Sequence, residues 1–482
     1  MMRPKAMFNK KTKIVCTLGP ACDDYQTILR MARAGMDVVR INCSHGNYDQ
    51  YGRLINFVRK AEKSIGRPIG ILMDLQGPKI RIGVLKTPIK LQVGQTIALR
   101  YTRADKQDGI LPVDHRGLSK MLKKGDSVLL KDGTIALRVV GFRNKDVICK
   151  VMNHGTVESS LGLNLPGVNI PLPTLTQKDK ADLRFSLGVG VDFIALSFVR
   201  SERDIASLHK LLGKRKKDVL VLAKIERPEA LDRLDKILRI SDGAIVARGD
   251  LGLEMAIEKI PAVQKDLIAR CMDLSVPVIT ATQMLGSMVA RNRPTRAEVM
   301  DVANAVLDGT DAVMLSEETA IGMYPEQSVR TMSRIIQTIE KYHHKCDAHS
   351  VDEQEVIQYS MNPSASSIAA ASGFVADLLG IQWIVAFTMS GSTALRISKK
   401  RPHAAILALT PKECIARRMS LFWGVRSNCV PTVHSTDHMF QLVARTLRSM
   451  RLFKSNQSVV IVAGLPLEKS GITNLLKIHH VD

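Results

Sequence analysis

Two apolar runs in this chain stop abruptly at charged side chains. VLVLA, residues 219–223, ends in Lys224-Ile225-Glu226, and GAIVA, residues 243–247, ends in Arg248-Gly249-Asp250. Short apolar, β-branched runs bounded by polar residues have the pattern of parallel strands buried on both faces. The charged groups then sit just past the C-terminal ends of two such strands. Side chains alternate along a strand, so Lys224 and Glu226 point the same way. One ammonium and two carboxylates, Glu226 and Asp250, therefore meet at one mouth. Two carboxylates without a counterion repel, and a shared divalent cation removes that repulsion. Oxygen ligands beside phosphate chemistry suit Mg2+.

The elements that must position these groups are legible as an alternating pattern. Strand-like runs fall at 13–18, 37–41 and 69–73, with helical spacing over 23–34 (Asp23 or Asp24 as cap) and 49–64. Strand and helix at this spacing predict a parallel sheet with right-handed crossovers. The rhythm changes between 82 and 173. Short alternating runs at 89–91, 96–100, 127–130, 135–140 and 147–151 are separated by Gly94, Gly125 and Asp132-Gly133, and Pro166, Pro171 and Pro173 mark a return linker. This predicts a small β domain, a β-barrel lid, inserted into a loop of the sheet. The α/β rhythm resumes at Thr176, with strands at 193–196, 219–223, 244–246, 276–279 and 312–315. Together these predict a closed (β/α)8 TIM barrel whose functional residues lie on the C-terminal face. Residues 340–358, polar and helical in pattern at first, read as a linker, and strands at 384–387, 406–409 and 459–462 alternate with helices, the first over 363–379, in a C-terminal α/β domain. The expected division is 1–81 and 176–345 for the barrel, 82–175 for the lid and 346–482 for the last domain.

Composition narrows the function classes. A chain of 482 residues is expected to form two to four domains. No apolar run approaches the ~18–20 residues of a membrane span. The basic start, MMRPKAMFNKKTK, has no apolar stretch behind it, so no secretory signal is expected. Eight scattered cysteines without a CxxC pair fit a reducing, cytoplasmic setting. The net charge of +23 favours anionic ligands, but aromatic residues make up only 4%, leaving few stacking platforms for nucleic acid. The KRKK run at 214–217 reads as a solvated helix end. His343, His344, Cys346 and His349 fit no standard zinc spacing and read as linker.

The motifs AKIERPEA, ARGDLG, TATQMLGSM and RNRPTRAEVMDVANAVLDGTDAVMLSEETA together resemble the signatures of the pyruvate kinase family, and the resemblance runs over nearly the whole chain. It implies phosphoryl transfer between phosphoenolpyruvate and ADP, giving pyruvate and ATP, in a homotetramer. Arg40 would hold the phosphoryl group, and Lys224 would stabilise charge on it and on the enolate. Glu226 and Asp250 would bind Mg2+, while the backbone of Gly249 and Asp250 and the hydroxyl of Thr282 would receive the substrate carboxylate. Thr282 reads equally as a helix N-cap. Asn42, Ser44, Asp74 and Leu75 resemble a K+ site. Asn42, His45 and Arg81 resemble nucleotide contacts, and Ser316 and Glu318 a proton relay. In the last domain Thr388, Ser390, Gly391, Ser392 and Thr393, facing a loop at 470–474, resemble a sugar-phosphate effector site, although ordinary helix capping explains the same residues.

Three positions depart from the family pattern. Lys79 stands where many members carry glutamate, and its ammonium could make the K+ site dispensable. Leu161 replaces a lysine that contacts nucleotide, and Gly286 replaces a glutamate. Two other readings fit some of the same residues: a Mg2+-dependent barrel lyase acting on a pyruvate enolate, and a basic nucleic-acid binder on an inactive scaffold.

Overall fold

The computed structural model describes residues 10–102, 109–131, 133–168, 173–346, 362–450, 457–467 and 471–481. Asp132, Pro171, His349 and Ser470, and the side chains of His343, His344 and Cys346, lie outside the described residues.

Eight parallel strands close into the expected barrel: β1 (Lys13–Thr17), β2 (Val38–Asn42), β3 (Gly70–Asp74), β4 (Phe193–Leu196), β5 (Leu220–Ile225), β6 (Gly243–Ala247), β7 (Val278–Ala281) and β8 (Ala312–Leu315). Closure comes from β1 pairing with both β2 and β8, in register Thr17↔Arg40 and Lys13↔Ala312. Outward side chains such as Ile14, Val39, Ile71 and Val221 pack under the helices, and inward ones such as Val15, Leu72, Phe193, Leu222 and Ile245 fill the barrel. The interior is thus a packed core rather than a pore. Of the two caps expected for the first helix, Asp24 takes the role, accepting the Thr27 N–H at 2.9 Å at the start of Tyr25–Ala34.

The N-terminal end of the barrel repeats one device four times. Asp37, Asp192, Asp242 and Asp311 each stand one residue before an even-numbered strand. Their carboxylates accept the backbone N–H of Ile14, Ile71, Val221 and Val278, at 2.9, 2.9, 2.9 and 2.8 Å. A buried strand N–H without a partner costs about as much as a lost hydrogen bond, so these acids finish the odd strands. Two of these acids also dock the C-terminal domain. Arg417 reaches Asp192 at 3.1 Å, and Lys399 and Arg401 reach Asp311 at 2.6 and 3.1 Å.

The insertion is a seven-stranded sheet with a two-stranded ribbon and its own apolar core. It contains strands the sequence did not suggest: Ile80–Arg81, Ile110–Val113, Gly155–Val157 and Gly162–Asn164, and a helical turn, Leu118–Met121. Its neck is the pairing Arg81↔Gly162. The C-terminal sheet has five strands in the order Val425–Cys429, Ala405–Thr410, Trp383–Phe387, Gln457–Ala463, Leu475–Val481, with the last antiparallel. Its two outer strands were also unexpected. The linker expected from residue 340 is, at its start, the end of a helix, Pro325–Cys346. KRKK lies in an exposed 3-10 turn, Gly213–Asp218, beyond the helix Glu202–Leu212. No helix among the described residues is long and apolar enough to cross a membrane.

Candidate active site

The C-terminal ends of β2, β3, β4 and β5 deliver one connected cluster. The Lys224 ammonium lies 2.7 Å from Glu226 Oε1, 3.2 Å from Asp74 Oδ1 and 2.8 Å from Ser197 Oγ. Alternation along β5 therefore does bring Lys224 and Glu226 to one side, and the ion pair between them is formed. Arg40 holds Asp74 Oδ2 through Nε and Nη2, each at 2.7 Å. Its Nη1 donates to Thr17 Oγ1 at 3.0 Å, and Thr17 donates to the Leu315 carbonyl at 3.0 Å. Asp74 is buried and anchors both cations.

Burial alone would raise the Asp74 pKa, but Lys224 and Arg40 hold it below the usual carboxylate range. For Lys224, burial pulls down while Asp74 and Glu226 pull up, and the acids win. Glu226 goes the other way. Burial, with Asp250 adding repulsion, raises it to about 7 against the pull of Lys224. Its Oε2 accepts the Phe198 N–H at 2.7 Å. Phe198 makes that bond from φ 56°, a left-handed conformation rare for a bulky residue. The Phe198 ring passes so close to Gly77 that a Cβ there would meet it at 2.7 Å, which requires glycine in the loop after β3.

Asp250 lies in the first turn of Arg248–Glu254, part-exposed, with no hydrogen bond or ion pair among the described residues. Arg248 is committed to structure. It grips Asp301 with two bonds of 2.5 and 2.7 Å and donates to the Thr282 carbonyl at 2.7 Å, tying the β6 loop to the β7 loop. The Gly249 N–H, expected to face a carboxylate, donates to Thr282 Oγ1 at 2.8 Å, and Thr282 donates to the Ala281 carbonyl at 2.6 Å. Thr282 caps no helix: the next turn, Gly286–Val289, begins after Leu285, and Thr295 caps Arg296–Leu307. Glu318 accepts the N–H groups of Leu285 and Ser316 at 3.0 and 2.7 Å, and burial raises its pKa.

The remaining candidates surround this cluster. Asn42 Oδ1 accepts the Ser44 N–H at 3.1 Å. The His45 pKa is lowered, first by burial and then by the charges of Arg81, Lys79 and Arg40, which places these cations around it. Arg81 donates to the Ser160 carbonyl at 2.9 Å. The Leu75 carbonyl accepts the Ser197 hydroxyl at 2.7 Å. Lys79 lies across Gly162, where a Cβ would meet its Cε at 2.5 Å. Leu161 packs on the lid core. A Cβ on Gly286 would meet only Glu298 Oε1, at 3.8 Å, and nothing in the structure explains the glycine.

In the C-terminal domain Thr388 Oγ1 accepts the Gly391 N–H at 2.9 Å, and Thr393 bonds Thr473 at 2.8 Å. With Ser390 and Ser392 they line a cavity of about 160 Å³ whose other walls include Leu409, Pro431 and Ile472. Among the described residues no cationic side chain lines it.

Sequence reasoning passed over three participants. Ser197 and Thr17 are uncharged and short, although Ser197 ends β4 as Lys224 ends its own apolar run. Arg227, beside Glu226, is buried against Glu254 at 2.9 Å and Glu229 at 3.0 Å, and donates to the Val168 carbonyl of the lid's return linker at 3.0 Å. Burial raises the Glu254 pKa to about 7 despite Arg227.

The arrangement sets two fixed cations against the buried carboxylates Asp74 and Glu226 at the barrel mouth, where fixed charge can stabilise charge that develops on a substrate. Comparison with known proteins agrees. Residues 9–329 match the family model described as pyruvate kinase, barrel domain, and residues 366–479 match pyruvate kinase, alpha/beta domain. A pyruvate kinase of Corynebacterium glutamicum is 42% identical over 474 residues, 98% of each chain. One from Staphylococcus aureus is 41% identical over 475 residues, 98% of this chain and 80% of that protein. A crystal structure of a pyruvate kinase from Cryptosporidium parvum superposes with TM-score 0.89 at 33% identity, covering 100% of this chain and 98% of that one. With both of its family domains matched in order and relatives aligned along almost its whole length, the chain belongs to the pyruvate kinase family.

Proposed function

We propose that the mouth of the barrel is where a phosphoryl group passes from phosphoenolpyruvate to ADP, with Lys224 and Arg40 as the catalytic cations. The observation that carries this reading is the single cluster in which Asp74 anchors both cations beside Glu226. Arg40 would hold the phosphoryl oxygens. As ADP attacks phosphorus and the bond to the enol oxygen breaks, the electron pair stays on that oxygen, and the Lys224 ammonium faces the charge it leaves. A charge fixed in place before the reaction costs no reorganisation during it. Thr282 would orient the carboxylate, Asn42, His45 and Arg81 the nucleotide. Ser316 and Glu318 would pass a proton to the enolate. Closure of the inserted domain would exclude water.

Glu226 and Asp250 fit a magnesium ion. Asp250 has no ion pair among the described residues, Glu226 is raised partly by Asp250, and a divalent cation relieves both. Among the described residues no three His, Cys, Asp or Glu side chains form a metal cage, so substrate and water oxygens would complete the shell. Bound there, Mg2+ supplies Lewis-acid neutralisation of the substrate's charge.

The reading extends to a K+ site at Asn42, Ser44, Asp74 and Leu75 made dispensable by Lys79, to an effector at the C-terminal cavity and to a cytoplasmic homotetramer. Exposed Ile257, Met300, Met323 and Phe374 support an assembly. The deciding experiment measures pyruvate formation from phosphoenolpyruvate with Mg2+, with and without ADP. Turnover that needs no nucleotide would refute the reading in favour of a lyase. Assay in tetramethylammonium salts is expected to retain activity, and a large K+ requirement would remove the role given to Lys79.

A further inference from the structure

We propose that Ser197 is a positioning residue whose hydroxyl sets where the Lys224 ammonium stands. This inference rests on the catalytic role given to Lys224 above.

The Lys224 ammonium has three protons and three partners: Glu226 Oε1 at 2.7 Å, Ser197 Oγ at 2.8 Å and Asp74 Oδ1 at 3.2 Å. Two of these are carboxylates, and Coulomb attraction to them acts along whatever line shortens the pair. Nothing in that attraction keeps the ammonium at one height above the barrel. Ser197 is the neutral partner, so its contact is directional without cancelling charge that the substrate needs.

The hydroxyl is itself fixed. Ser197 is buried at the end of β4, and a Cβ on Gly77 would lie 3.1 Å from the Ser197 Cβ, which leaves the side chain little room. A hydroxyl has one proton to give. It is directed at the Leu75 carbonyl at 2.7 Å, with Asp74 Oδ1 a longer alternative at 3.3 Å. Donation to Leu75 turns the oxygen lone pairs towards Lys224. The backbone after β3 therefore aims the hydroxyl, and the hydroxyl aims the lysine. Without the serine oxygen, the ammonium settles onto Glu226 and Asp74, away from the charge that develops on substrate.

The test is Ser197→Ala in the full chain, with Ser197→Thr as the variant that keeps the hydroxyl. Misplacing a catalytic group by about 1 Å costs ~100-fold, so kcat is expected to fall about 10- to 100-fold for alanine. KM for ADP should hold, and threonine should recover most of the rate. Exchange of pyruvate methyl hydrogens into D2O, which needs the enolate but no phosphoryl transfer, should fall with kcat. A merely structural serine would not couple those two readouts. Should the alanine variant not fold, Ser197→Cys, which keeps the size but accepts hydrogen bonds poorly, decides in its place. The inference is overturned if kcat stays within about threefold of the parent, or if the loss lies in KM for ADP alone. Lys224→Met run in parallel separates the two failures. An inactive lysine variant beside a normal serine variant sinks this inference only, whereas a normal lysine variant sinks the reading of the site.

Discussion

Replacing Lys224 by methionine removes one charge while keeping most of the length of the side chain, and the structure fixes what should follow. Asp74 keeps both Arg40 contacts at 2.7 Å, and Glu226 Oε2 keeps the Phe198 N–H at 2.7 Å. Asp74 keeps a cation, whereas Glu226 loses its ion pair and should take up a proton, so the fold should survive with a lowered melting temperature. The chemistry should not. A unit charge ~4 Å from a developing enolate contributes ~4 kcal/mol at an effective dielectric constant of ~20. That corresponds to ~1000-fold in rate. Arg40 stays and spreads part of the charge, so the expected loss in kcat is ~100- to 1000-fold. Glu226 would also bind its proton more tightly without the ammonium. The rate is therefore measured above neutral pH and at saturating Mg2+, by coupling pyruvate to NADH oxidation. A folded variant that loses less than about tenfold would refute the electrostatic role of Lys224.

Because burial raises the Glu226 pKa above the usual carboxylate range, proton and Mg2+ compete for it; apparent Mg2+ affinity should therefore rise with pH across the neutral range, read by Mg2+ titration of activity on both sides of neutrality. A flat profile would contradict that shift. Arg227→Met leaves Glu254 buried beside a lost partner and frees the Val168 carbonyl; breaking such a pair costs ~3–5 kcal/mol, and denaturant unfolding should show it, together with a raised KM for ADP as the lid linker loosens. Asp311→Asn leaves Lys399 and Arg401 buried without a countercharge and should destabilise by a similar ~3–5 kcal/mol, seen as a lower melting temperature of the C-terminal domain. An unchanged melting curve would remove Asp311 from domain docking.

The eight barrel strands were legible because each is a short run buried on both faces, so neither helix nor half-exposed strand fits it. Two strands of the C-terminal sheet were not. Val425–Cys429 reads VRSNC and Leu475–Val481 reads LLKIHHV; both lie at the edge of the C-terminal sheet, where polar residues cost nothing and break the apolar run. The lid's neck strands, Ile80–Arg81 and Gly162–Asn164, span two and three residues, too few for a period to show. Ser197 and Thr17 were missed for another reason. Their partners, Lys224 and Arg40, are distant in sequence, and only barrel closure brings the hydroxyls to them.

The acids make the sharpest contrast. DVVRI, DFIAL, DGAIVA and DAVML stand openly in the sequence, each an aspartate just before a strand. Asp74, Glu226 and Asp250 come at or after the ends of their strands instead. In a closed parallel barrel those two placements are opposite ends of the molecule. An acid before a strand meets the first unpaired N–H of the previous strand, and all four aspartates accept one. An acid after a strand meets other strand ends, where the peptide groups have turned into loops and offer fewer fixed donors. There Asp74 is answered by side-chain cations, Glu226 by one cation and one amide, and Asp250 by nothing among the described residues. Strand amides answer the acids at one end and side-chain cations answer Asp74 and Glu226 at the other, which separates acids that finish strands from acids placed at the candidate site.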